Sequence, residues 1–167
     1  MTRTDVPTSW DEKTTLTTFL DYARSTVLHK CAGLSDEDAR SAPLPGSPLT
    51  NIASLVNHLR WVEYWWFQVM FLGEEEDAPW TEEDPDGEMT VALTLPLADI
   101  LADYEATCAK YRELVAGLDL DALSERKNRA GQRFTLRWVI THMVEETSRH
   151  NGHIDLLREM ADGVTGS

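Results

Sequence analysis

The stretch Thr135–Gly163, TLRWVITHMVEETSRHNGHIDLLREMADG, carries the reading of the whole chain. Leu136, Val139, Ile140, Met143, Thr147, His150, Ile154 and Leu157 recur at spacings of three and four, the period of an amphipathic α-helix. Thr135 is placed to cap its start and Gly163 to end it. Three of the chain's five histidines, His142, His150 and His153, lie in this one helix.

Upstream, the same period predicts three more helices. Leu16, Phe19, Leu20, Ala23 and Val27 mark one from about Asp11 to Ala32, stopped by Gly33. Ile52, Leu55, Val56, Leu59, Val62, Trp66 and Met70 mark another, capped by Thr50 and running to about Leu72. Ile100, Leu101, Tyr104, Cys108, Tyr111, Leu114 and Val115 mark a third between Pro96 and Gly117. Between the first two, a capping-box pattern at Ser35 and Asp38 supports a helical turn or two before Pro43 and Pro45 break it.

Two connections carry no apolar period. Gly73–Thr90, GEEEDAPWTEEDPDGEMT, holds nine carboxylates and no lysine or arginine, and reads as a long loop. It is either simply solvated or a gate for a cationic or metal-bearing ligand; DPDGE lacks the ligand spacing of a calcium loop. LDLDALSERKNRAGQRF, 118–134, reads as a polar connection. With no convincing strand pattern and no internal repeat, the expected fold is an all-α four-helix bundle with long connections, the 167 residues forming one domain.

Composition narrows the function. Against 15 basic side chains stand 29 acidic ones, and a formal charge of −14 disfavours nucleic acids and anionic membranes as partners. No apolar run approaches the roughly 20 residues of a membrane span, and the polar start MTRTDVPTSWDEK has no signal-peptide core, so a cytoplasmic location is expected. Cys31 and Cys108 sit singly in helical patterns and read as buried, reduced thiols.

The candidate chemistry lies at the edge of the last helix. Glu146 and His150, one turn apart, can grip one ion together, with His142 and His153 continuing the same flank. A third ligand has to come from another helix, and His58 is the best-placed donor, better than His29 near the end of the first helix. Spacing alone leaves open a hydrogen-bonded polar flank or a metal-free site, and no HExxH pattern is present.

The segments NIASLVNHLRWVEYWW and EETSRHNGHIDLLRE resemble the DinB-like superfamily, in particular its branch near mycothiol-dependent S-transferases and maleylpyruvate isomerases, from Thr15 to about Asp162. The resemblance implies a four-helix bundle holding a divalent metal through His58, Glu146 and His150. Glutamate at the first position of the pair, where many members have histidine, matches the thiol-transferase branch.

That resemblance implies a transferase in which a metal, zinc or else nickel, iron or manganese, activates a low-molecular-weight thiol to attack a small electrophile. His142 or His153 could orient a ligand or relay a proton, and Arg149 could contact an anionic group. Competing readings are a metal-dependent hydrolase and a non-enzymatic binding or dimerising module. In the last, EYWWFQVMF, whose aromatics cover more than one helical face, would form a homodimer interface.

Overall fold

Helix α6 (Leu136–Asp162) is the longest element, 27 residues or about 40 Å, and the functional residues of its flank depend on how it is held. The computed structural model describes residues 10–165; most of the polar start and the last two residues lie outside the described residues. The chain is mostly helical. Helix α1 (Glu12–Lys30) is capped by Asp11, α2 (Asp36–Ala39) by Ser35, and α3 (Ile52–Glu63) by Asn51 rather than its neighbour Thr50. A π-helical segment, Tyr64–Phe71, continues α3. Helices α4 (Gly87–Ala92) and α5 (Leu97–Ala116) follow, then a hairpin of β1 (Leu123–Lys127) and β2 (Arg133–Thr135), and finally α6 with Thr135 as its cap.

Helix α6 packs along α1, and α3 along α5. Two polar side chains of α6 complete the first contact. Asn151 donates to the Ala23 carbonyl at 2.9 Å, and Arg158 donates to the carbonyls of Lys30 and Ala32 at 2.8 and 3.0 Å, satisfying groups that the end of α1 leaves open. The core lies in two clusters. Val27, Ile52, Val56, Leu59, Tyr104 and Ile154 belong to one, and Leu20, Phe67, Tyr111, Val139, Ile140 and Met143 to the other. Across the core Arg24 of α1 makes a two-pronged bond to Glu63 of α3, at 2.7 and 2.6 Å, with both side chains almost fully buried.

Three expectations need correction. The 118–134 connection is not featureless: β1 and β2 pair antiparallel, Leu123 opposite Thr135 and Lys127 opposite Arg133, with an irregularity between. Its residues are polar because the hairpin lies against the π segment while much of it faces solvent, so apolar alternation was absent. The acidic loop is shorter than Gly73–Thr90, because α4 begins at Gly87 and packs on α3. The long aromatic helix does not stay α-helical. Widening by one residue, as in the Leu72 amide donating to the Phe67 carbonyl, turns successive aromatics to different neighbours. Phe67 and Phe71 enter the core, Trp66 packs on Phe134, Trp138 and His142, and Trp65 faces Trp80. Among the described residues no helix is long and apolar enough to cross a membrane.

Candidate metal centre

The half-buried His58 of α3 faces Glu146 and His150 of α6. Its Nε2 lies 3.6 Å from Glu146 Oε1, and His150 Nε2 lies 3.1 Å from the same oxygen. The His58 and His150 rings meet edge to face with centroids 5.1 Å apart. One ligand atom from each of the three lies within 4.8 Å of the others. Two donors bound to one ion at about 2.1 Å and a tetrahedral angle stand roughly 3.4 Å apart, so these separations suit a single small divalent cation. Two imidazoles and a carboxylate are also the donor set of catalytic sites that keep a fourth position open.

The second nitrogen of each imidazole is engaged, which fixes the rings and leaves Nε2 for an ion. His58 Nδ1 is 3.2 Å from Glu88 Oε1, and His150 Nδ1 is 3.3 Å from His153 Nδ1. Glu88 is buried, sits on α4, and was hidden in the sequence as one acid among nine. Its helix is tied to α3 by Asn57, which donates to the Glu88 carbonyl, and by Ser54, which donates to the Met89 carbonyl at 2.9 Å.

At Glu146 and His150 the balance of burial and charge favours the form able to bind a cation. Burial pushes the Glu146 carboxyl up, but His150, Arg149 and His58 outweigh it and hold it below its ordinary value. Burial, joined by His58, takes His150 below its ordinary value against the pull of Glu146. Arg149 reaches Glu146 Oε2 at 2.6 Å and Glu145 Oε1 at 2.7 Å, which sets it in contact with one of the three candidate ligands.

Of the flanking histidines, His153 touches His150 while His142 does not join the cluster. His142 stacks on Trp138 with centroids 5.1 Å apart and meets Trp66 edge to face at 4.8 Å. His29, the weaker candidate, is outside the group of three.

Beside His58 opens a cavity of about 330 Å³ lined by Trp61, Val62, Trp65, Trp66, Trp80, Pro85 and Glu88. Trp80 comes from the acidic loop, which Tyr64 pins by accepting from the Asp77 amide at 2.6 Å. Gly87 lets this loop fold back: a Cβ there would stand 2.2 Å from the Pro79 carbonyl oxygen. Cys31 and Cys108 are both free and buried, away from this chemistry.

A model of the family described as Mycothiol-S-transferase matches residues 15–163. No curated protein matches the chain.

Proposed function

The chain belongs to the mycothiol-S-transferase family, and on that premise we propose that it is a metal-dependent enzyme joining a low-molecular-weight thiol to a small organic electrophile. The observation that carries the proposal is the approach of His58, Glu146 and His150 from two helices to one point. A divalent metal bound there, zinc or a similar ion, would favour the thiolate form of a thiol at neutral pH.

The chain's own residues have separable tasks in this reading. His58 and His150 offer Nε2 while Glu88 and His153 engage the opposite nitrogen of each ring. Arg149 holds Glu146 ionised and in place, and has further donors to meet an anionic group of either substrate. The tryptophan-lined cavity next to His58 gives the electrophile a largely apolar seat beside the candidate ligands. Neither cysteine is suited to serve as nucleophile. Burial pushes both thiols up to about 12, so the attacking sulfur has to come with the co-substrate.

In the same reading the four long helical segments form the bundle of the DinB-like fold, the chain acts as one domain, and the enzyme works in the reducing cytoplasm, where free thiols persist. The test is a conjugation assay on the metal-loaded protein with mycothiol and a chromogenic electrophile. Turnover should require the thiol and should drop at least about 100-fold in His150→Ala. Equal turnover without added thiol would overturn the transferase reading in favour of hydrolysis.

A further inference from the structure

We propose that the cavity beside His58 is a binding site for an organic ammonium group, and that the electrophilic co-substrate carries one. That the ligand is a co-substrate rests on the transferase reading; the binding site stands on its own geometry. Four of the chain's six tryptophans, Trp61, Trp65, Trp66 and Trp80, line this one space.

Three of them are set as walls rather than as a stack. Trp80 meets Trp61 with centroids 5.9 Å apart at 75° and Trp65 with centroids 6.0 Å apart at 69°. Near-perpendicular rings of this kind stand as aromatic walls at angles around an open pocket, and indole rings attract quaternary and protonated amines. Trp61 already draws a cation: the Arg60 guanidinium lies 4.3 Å from its ring centroid.

With Arg60 stacked on the Trp61 ring but not lining the space, the lining itself carries negative charge only. Among the described lining residues Glu88 is the only carboxylate, and no lysine or arginine lines the space. Its Oε1 is engaged by His58, whereas Oε2 is buried without a hydrogen-bond partner. A buried carboxylate left half-satisfied is costly, and a cation nearby offsets that cost. The loop that carries Trp80 adds Glu74, Glu75, Glu76, Asp77, Glu82, Glu83, Asp84 and Asp86, all exposed, so a cation approaching the mouth moves down a favourable potential. Trp80 is held within this acidic frame by its indole N–H, which donates to Glu76.

The experiment compares choline with 3,3-dimethylbutan-1-ol, its neutral isostere, by calorimetry and tryptophan fluorescence on the full chain in saturating zinc without thiol. Choline should bind about tenfold more tightly or better. Trp80→Ala, a change in a surface loop, and Glu88→Gln, which keeps the shape of the side chain, should each reduce that preference at least about fivefold, while Trp80→Phe should retain most of it. Helical circular dichroism identifies any variant that has lost its fold. Equal affinities for the two probes, no binding of either, or an undiminished preference in either Trp80→Ala or Glu88→Gln would overturn the proposal. Thiol-dependent turnover of neutral electrophiles with no choline preference would sink this site and leave the transferase reading intact. A choline preference with no thiol-dependent turnover would do the reverse.

Discussion

Glu146 accepts from Arg149 on one oxygen and meets His58 and His150 on the other, so a single carboxylate links the two helices of the site. Its partner His58 depends in turn on Glu88. Glu88→Gln should weaken zinc binding by about 10- to 100-fold as read by chelator competition, because the ring loses its charged support while keeping its position. The cysteines supply a second check. With both thiols pushed up to about 12, native protein at pH 8 should leave a disulfide reagent untouched, and two thiols should titrate once denaturant exposes them. The proximity of Glu146 and His150 could be read from helix spacing, whereas setting His58 beside them as a ligand rested on the family resemblance as well. Glu88 was not, since nothing local distinguishes it from its eight acidic neighbours; only the close approach at Gly87 and the bonds from Asn57 and Ser54 turn it inward. Arg149 is an exposed side chain, yet its length lets it reach back one turn to Glu146.

Caps and stops marked several helix ends, though α3 starts from Asn51 and not Thr50. Asp11, Ser35 and Thr135 accept from the backbone as N-caps should, and Gly33 and Gly163 take the left-handed backbone that ends a helix without strain. What the period could not disclose was the π segment, because one extra residue per turn is a response to packing eight bulky residues, Tyr64–Phe71, against several neighbours at once. Helix α1 is fastened to α3 through Arg24 and Glu63. Burial works against the Arg24 charge, but Glu63 outweighs it and raises the guanidinium pKa further. Arg24→Met should therefore lower stability by about 3–5 kcal/mol in chemical unfolding, since Glu63 would be left buried without its partner. Gly87→Ala should cost about 1–3 kcal/mol through overpacking against Pro79, visible as a lower melting temperature.

At the scale of the molecule, the candidate site lies between α3 of one helix pair and α6 of the other, so an ion held by His58, Glu146 and His150 would brace both. Zinc at 100 times its dissociation constant should stabilise the fold by about 2.7 kcal/mol, seen as a melting temperature that rises with zinc and falls with chelator. The net charge of −14 sets a further expectation: self-repulsion should make stability rise with moderate salt in metal-free protein. The central claim is the three-residue centre, and elemental analysis of the purified protein beside His58→Ala, Glu146→Ala and His150→Ala tests it most directly. Close to one equivalent of a divalent transition metal is expected in the parent, with most of it lost in each variant and helical circular dichroism unchanged. Equal metal content in all four folded proteins would contradict it.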